Sequence, residues 1–301
     1  MKQVRRLLRR TVMRSISDGL HDLIMLNYVR LTNGKLPHWP NLSNPTRLSD
    51  KMLALKRFHR HPLAVQLADK LLVRDIVAQR LGPEYAMPLL QVADSPEAID
   101  RESLPERFVV KPNHGSGMVM RASRDSIDWV EASRTFQTWL DTDYAGYSRE
   151  YQYATPRRVL LVQPDLKAMH GEDLPEPKVL CFNGEPRYLF MRQVEPNGER
   201  RRNVYDAEGR LQPFSEGAPH AEKPEPAPER LKAFFAVARA MAADLPFARV
   251  DLYDTPGQIL LGEVTFHHNG GFLNVIPDRA DAFLGSQLVL PPLQRQGRRA
   301  K

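Results

Sequence analysis

The residues best placed to do chemistry fall in three short segments. In Phe108–Gly117, FVVKPNHGSG, an apolar, β-branched run delivers Lys111 at its end, and a turn with Gly115 and Gly117 follows. Glycines let backbone amides approach an anion closely, and a lysine beside them adds a point charge suited to phosphate. At about 4 Å and an effective dielectric near 20, one such charge pair is worth roughly 4 kcal/mol before desolvation. The lysine precedes the glycines, so this is not a Walker loop. An ordinary loop after a strand would look the same locally.

In Phe247–Gly271, FARVDLYDTPGQILLGEVTFHHNGG, two strand-like runs flank Pro256-Gly257 and bring Asp251 alongside Glu263. Period-two alternation along 258–265 puts Leu261, Glu263 and Thr265 on one face. Acids among Val250, Leu252, Leu261 and Val264 are costly to bury alone. A magnesium ion bridging Asp251 and Glu263 would supply the partner, because it favours hard oxygen ligands and shares them with phosphates. Arg249 adds a cation for charge developing on a phosphoryl group. A surface cluster of cross-strand charges is the alternative. His267, His268 and Asn269 are a poor zinc site, since adjacent histidines on a strand point to opposite faces. In the third segment, KVLCFNGEPR (178–187), Lys178 enters a buried strand, and Cys181 reads as a small core residue rather than a nucleophile. No serine sits in a nucleophile-elbow context.

The elements that must position these residues can be read in outline. Residues 47–81 are helical in pattern and stop at Gly82-Pro83. Strands are expected at 87–92, 107–111, 159–163, 178–182, 187–191, 248–253 and 258–265, with a hairpin at Asn183-Gly184. Helices are expected over 125–140 and 229–244, and the proline-rich stretch 213–230 reads as an exposed loop. The fold class is therefore α+β with largely antiparallel sheets.

Composition narrows the function. The formal charge is +7, but residues 1–14 and 295–301 hold ten basic residues and no acid, so the body between them is −3. A basic chain of this kind has basic ends rather than a polyanion-binding core, and specific nucleic-acid binding is not expected. A 42% apolar content fits a globular chain. A single cysteine excludes an intramolecular disulfide framework and fits a reducing compartment, so the expected location is cytoplasmic. Val4, Leu7, Leu8, Val12 and Ile16 recur at mostly three- and four-residue spacing among arginines. Residues 1–17 thus read as a basic amphipathic helix suited to peripheral contact with an anionic inner-membrane surface, or to packing on the rest of the chain.

Taken in order, these blocks resemble the TupA-like branch of the ATP-grasp superfamily, associated with teichuronopeptide and other surface-polysaccharide biosynthesis. The resemblance runs from about Arg47 to Leu290 and includes LADKLLVRDIVAQRLG (67–82), FVVKPNHGSG, KVLCFNGEPRY (178–188), the 247–272 block and LGSQLVL (284–290). It implies an ATP-grasp fold in which two α+β lobes sandwich the nucleotide. The N-terminal helix would span 1–30, a helical region 31–105, the small lobe 106–166, the large lobe 167–290 and a basic tail 291–301. Lys111 would contact the ATP phosphates under the loop His114, Gly115, Ser116 and Gly117. Lys70, or Arg74 one turn later, would orient the nucleotide from below. Gln163–Leu166 would be the hinge against the adenine, with Asp165 at the ribose hydroxyls. Lys178 would be the second phosphate lysine and, with Arg249, part of the catalytic set. Asp251, Glu263 and Thr265 would hold Mg2+. Three positions depart from the family pattern: Gln163 and Pro177 stand where an acid is common, and Thr265 where many relatives have an asparagine.

The implied activity is an ATP-dependent, ADP-forming carboxylate–amine ligase that builds an amide on a polysaccharide or its precursor. Its substrates would be a sugar acid and an amine such as an amino acid. Two alternatives stay open. One is a glycosyltransferase of the same pathway, although Asp-x-Asp is absent from the second strand pair; the other is a nucleotide-binding relative without turnover.

Overall fold

The computed structural model describes residues 15–33 and 39–293, so the amphipathic helix expected over 1–17 lies almost wholly outside the described residues, as does most of the basic tail. The first described helix is Asp18–Asn33. Residues 47–81 are helical, as their pattern predicts, but in three pieces: Leu48–Phe58, Ala64–Ala68 and Val73–Arg80. Pro62 lacks the amide needed to continue the first helix, and Asp69 accepts from the amides of Leu71 and Leu72, which turns the chain at Lys70.

Gln91–Ala93 (β1), Arg107–Pro112 (β2), Met120–Ser123 (β3) and Leu160–Pro164 (β4) form an antiparallel sheet in the order β1–β4–β2–β3. Its inner face, with Phe108, Val110, Leu160 and Val162, packs on Phe136 and Leu140 of helix Trp129–Leu140. Asp128 caps that helix by accepting from two backbone amides. β1 pairs with β4, so this small lobe begins ahead of residue 106, and of the strand expected over 87–92 only the end is paired.

The larger antiparallel sheet is ordered β10–β9–β5–β6–β7. It comprises Lys178–Phe182 (β5), Glu185–Val194 (β6), Arg200–Tyr205 (β7), Phe247–Thr255 (β9) and Gln258–Thr265 (β10). Ser215–Glu216 (β8) and Val275–Ile276 (β11) form a separate pair. The hairpin at Asn183-Gly184 is present, with φ of 52° and 81°. A Cβ on Gly184 would lie 2.6 Å from the carbonyl oxygen of Ala243, so only glycine fits.

One face of this sheet carries Val179, Cys181, Leu189, Val250 and Val264 against helix Leu231–Ala242. Phe234 and Met241 are fully buried there, and truncating Phe234 to alanine should cost about 3–5 kcal/mol. The opposite face divides. Its Leu180, Phe182 and Phe247 end is covered by Leu48 and Met52 and by helix Arg279–Gln287, whereas the end bearing Lys178 and Asp251 opens to a cleft. The sheet thus presents one apolar floor for folding and one polar floor for chemistry.

Two expectations need correction. Alternation predicts Leu261 on one face with Glu263, but a bulge at Gly262 interrupts the ladder: Leu261 faces Leu252 and Glu263 faces Asp251. The extra residue turns Leu261 into the core and leaves Glu263 on the cleft side. Residues 213–230 are not simply an exposed loop, because Phe214, Ser215, Glu216 and Ala221 are buried and β8 lies among them. Proline content signalled the irregular path but not the pairing. Among the described residues no helix is long and apolar enough to cross a membrane.

Candidate functional site

A cleft of about 260 Å³ lies between the two sheets. The small lobe contributes Lys111, Gly115, Ser116 and Gly117, and the large lobe contributes Lys178, Asp251 and Glu263; Lys70 closes it from the helical segment. These eight expected residues are brought together. His114, Gln163, Asp165, Leu166, Arg249 and Thr265 do not line the cleft wall, and neither does Arg74, whose guanidinium donates to the carbonyl of Met87.

The glycine turn is held from beneath. Lys70 Nζ donates to the carbonyl of Gly115 at 2.9 Å, and its backbone amide donates to the carbonyl of Asn113. Asn113 in turn donates to Asp69 at 2.6 Å and accepts from the amide of Val159. His114 faces inward, with Nε2 3.1 Å from the carbonyl of Thr142. It secures the turn rather than facing a ligand. Gly115 and Gly117 take φ of 77° and 70°, which other residues rarely adopt. Asp69 and Asn113 were missed by motif reading, since each is an unremarkable polar residue until the fold joins them.

Lys111 and Lys70 share this cleft, and neither has a carboxylate within ion-pair distance among the described residues. Burial, with the repulsion of Lys70, lowers Lys111 to about 8 despite the attraction of Glu263. Burial also lowers Lys70. Two crowded ammonium groups beside glycine amides suit an anion.

The large lobe is arranged oppositely. Asp251 and Lys178 are register partners, and their side chains meet at 2.5 Å. Arg249, two residues before Asp251 on the same face, grips its carboxylate with Nε at 2.5 Å and Nη2 at 2.7 Å. Burial alone would raise Asp251, but Arg249 and Lys178 outweigh it and hold the carboxyl below its ordinary range. Glu263 lies across the ladder, 3.3 Å from Arg249 and 3.1 Å from the hydroxyl of Thr265. The two carboxylates share one register position facing open space. That suits Mg2+, which takes one or two protein carboxylates and completes its shell with water and phosphate oxygens. No group of three or more His, Cys, Asp or Glu able to hold a metal occurs among the described residues.

His268 instead belongs to a chain behind Arg249. Arg249 Nη1 lies 3.0 Å from His268 Nδ1, and His268 Nε2 lies 3.0 Å from Glu216 Oε2. Arginine can only donate, so Nδ1 accepts and the ring proton sits on Nε2, directed at Glu216. Burial lowers His268, in keeping with a neutral ring. Glu216 is buried yet lowered to about 2: burial opposes its charge, but His268, Arg202 and Arg249 overcome that. Asn269 donates to its other oxygen at 2.5 Å. Glu216 comes from the proline-rich stretch, where composition offers no sign of a buried acid.

The remaining expected residues have structural partners. Asp165 caps helix Leu166–His170 and pairs with Arg121 at 2.9 Å. Leu166 is packed with Leu174 and Leu260. Gln163 shares the Lys111 face of the small sheet, two positions along the register. Cys181 is fully buried, and burial pushes its thiol up, so it is a core residue as expected.

A profile of the TupA-like ATPgrasp family matches residues 50–289. Solved structures with similar folds include the ATP-grasp ligase PsnB with a phosphomimetic variant of its minimal precursor, Mg and ADP. It is 11% identical with a TM-score of 0.39, over 75% of this chain and 61% of that one. D-alanine–D-alanine ligase from Helicobacter pylori is 15% identical with a TM-score of 0.41, over 74% and 61%. The L-amino acid ligase from Bacillus licheniformis is 17% identical with a TM-score of 0.40, over 70% and 44%. The chain therefore spans less than two thirds of the length of these structures. No curated protein matches. The profile covers most of the chain and includes every residue of the cleft, and the chain belongs to the TupA-like ATPgrasp family.

Proposed function

We propose that the chain is an ATP-dependent carboxylate–amine ligase that releases ADP and phosphate and joins an amine to an acid of a surface polysaccharide or its precursor. The observation that carries this reading is the convergence of Lys70, Lys111 and Lys178 with Asp251 and Glu263 on one cleft between two lobes. A carboxylate resists attack by an amine because oxide is not a viable leaving group. Transfer of the γ-phosphoryl group from ATP to a carboxylate oxygen gives an acyl phosphate and ADP. The amine then attacks the acyl carbon, loses a proton, and expels phosphate.

Within this scheme Lys111 and the amides of Gly115–Gly117 hold the phosphates from above, and Lys178 meets them from the sheet. Asp251 and Glu263 would hold Mg2+, which when bound supplies positive charge against the transferring phosphoryl group. Arg249 braces Asp251, and Thr265 supports Glu263. The closing turn excludes water that would hydrolyse the acyl phosphate. Peripheral attachment to the cytoplasmic membrane face through residues 1–17 belongs to the same proposal, and vesicle binding by a chain lacking those residues tests it.

Calorimetric titration of ATP with magnesium into wild type, Lys111→Ala and Asp251→Asn/Glu263→Gln, with UDP-sugars as competitors, tests the reading. ATP binding that both variants weaken, without UDP-sugar competition, supports the ligase. Binding of a UDP-sugar in place of ATP would point to the glycosyltransferase alternative.

A further inference from the structure

A separate pocket, of about 230 Å³, shares no lining residue with the phosphate cleft. Helix Asp18–Asn33 contributes Asp18 and Asp22, the last turn of helix Leu48–Phe58 contributes Lys56 and Arg57, and Arg60 follows just beyond. The remaining wall is Ala145 of helix Tyr144–Ser148, with Arg149 and Tyr151 after it. Four cations and two acids, from three segments distant in the chain, thus line one small space.

Two of the cations account for both acids. Arg57 holds Asp22 with Nε at 2.9 Å and Nη2 at 2.7 Å, and Arg149 pairs with Asp18 at 3.3 Å. Lys56 and Arg60 have no carboxylate within ion-pair distance among the described residues. Arg60 is exposed, lies 4.3 Å from the centre of the Tyr151 ring, and donates to the carbonyls of Lys56 and His59. Exposed basic residues at a helix end need no ligand, since they interact with its last carbonyls. Lys56 is different, because it is only 3% exposed. Its ammonium donates to the carbonyl of Gly270 at 2.9 Å and lies 5.2 Å from the centre of the Phe272 ring. Asp22 and Glu150 attract it from farther off, and burial pushes Glu150 up to about 7, which leaves that acid partly neutral near physiological pH. A buried ammonium with one carbonyl partner is costly, and an anion in the pocket would offset that cost.

We infer that this pocket binds a phosphate monoester, with Lys56 and Arg60 as its principal donors. The inference is independent of the ligase reading, because the two sites have no residue in common. Two unmatched cations suit the charge of about −2 that a phosphate monoester carries near neutral pH. Its several oxygens accept donors that arrive from different directions, whereas a carboxylate is filled by a single guanidinium fork. The ester has two sources. The helix that walls the pocket leaves Leu20, Leu23, Ile24, Tyr28 and Leu31 exposed and follows a segment with six basic residues, which suits a lipid headgroup. A soluble phosphate ester offers the same group to the same donors.

The test uses the full chain with saturating AMPPNP and magnesium, which fill the phosphate cleft. Glycerol 3-phosphate and acetate are titrated into wild type, Arg60→Gln, Arg60→Lys and Lys56→Met. Vesicles containing phosphatidic acid are compared with phosphatidylserine vesicles of matched surface charge, so that attraction to the basic N-terminal segment is common to both. Wild type should bind glycerol 3-phosphate, or prefer phosphatidic acid to phosphatidylserine. Arg60→Gln and Lys56→Met should weaken that binding roughly tenfold or more, with partial recovery in Arg60→Lys. The first result identifies a soluble ester as the source and the second a lipid headgroup; either supports the pocket. Binding of neither form, equal binding to wild type and Arg60→Gln, or binding no stronger than that of acetate overturns it. Should Lys56→Met fail to fold, the exposed Arg60 variants, which should melt with wild type, decide the outcome. AMPPNP affinity should be the same in every folded variant. Failure of AMPPNP to bind wild type overturns the ligase reading instead, and the same titrations in a Lys111→Ala background then decide the pocket.

Discussion

Lys111 and Lys178 enter one cleft from opposite lobes, yet they are held in different electrostatic states. Lys178 is matched to Asp251 at 2.5 Å, within a cluster that also contains Arg249 and Glu263. Lys111 stands beside Lys70 with no such partner, and burial lowers it to about 8. The large lobe is therefore charge-matched before any ligand arrives, while the small lobe is short of negative charge. A nucleotide would relieve repulsion in the small lobe and compete with an existing ion pair in the large one. That asymmetry separates the stability consequences of the two lysines from their binding consequences.

The largest effect should come from breaking the matched side. Asp251→Asn leaves Arg249 and Lys178 without their shared carboxylate, and removing one member of a buried pair costs about 3–5 kcal/mol. The melting temperature should fall, and ADP release should drop by roughly 100-fold or more, as when a group stabilising transferred charge is lost. A variant that melts with wild type would show that the pair contributes nothing to the fold.

Replacing the lysines singly sharpens the contrast. Lys178→Met should destabilise the protein, while Lys111→Met should leave it as stable as wild type or more so at pH 7, because a crowded cation is removed. Both should bind ATP roughly 10- to 100-fold more weakly, about 1.4–2.8 kcal/mol. Equal loss of stability in the two variants would erase the distinction drawn between the lobes.

A smaller effect follows from proton linkage. Between about pH 8 and the ordinary lysine value near 10.4, Lys111 is protonated in the unfolded chain but largely neutral in the folded one. The unfolded state binds more protons there, so this group's contribution to stability rises with pH through that window. Phosphate oxygens favour the charged form, so nucleotide binding at pH 8 should take up about half a proton. Binding enthalpies measured in buffers of different ionisation heat should reveal that uptake at pH 8, and it should vanish at pH 6.5 and in Lys111→Met.

The smallest effect should lie behind the cleft. Glu216→Gln keeps the shape but weakens the hold on His268, and through it on Arg249. A change at this remove from the reacting atoms should lower kcat about tenfold. ATP affinity should be unchanged, and restoring activity with Glu216→Asp would distinguish positioning from a loss of folding.

Much of this arrangement was legible in the chain. Lys111 before its glycines and the Asn183-Gly184 hairpin arise from local rules of strand patterning and turn chemistry, whereas Glu263 meets Asp251 only because the bulge at Gly262 shifts the register. The small-lobe boundary was less legible, because β1 is three residues long and owes its existence to β4. Strand β7, rich in arginine, lacks the apolar alternation that signals a strand and pairs because β6 offers it an edge. The Arg121 partner of Asp165 comes from a separate strand and was not legible in the chain.

The sequence by itself determined which residues could meet phosphate and metal, since lysine charge, glycine freedom and carboxylate oxygens are properties of single residues and short spacings. Only the tertiary structure decided which of them acquire partners. Pairing Lys178 with Asp251, turning Leu261 inward at a one-residue bulge, and bringing Glu216 from a proline-rich stretch to His268 all depend on contacts between distant segments. Electrostatic interaction depends on distance in space rather than along the chain, so the charge state of the cleft is fixed where strands meet.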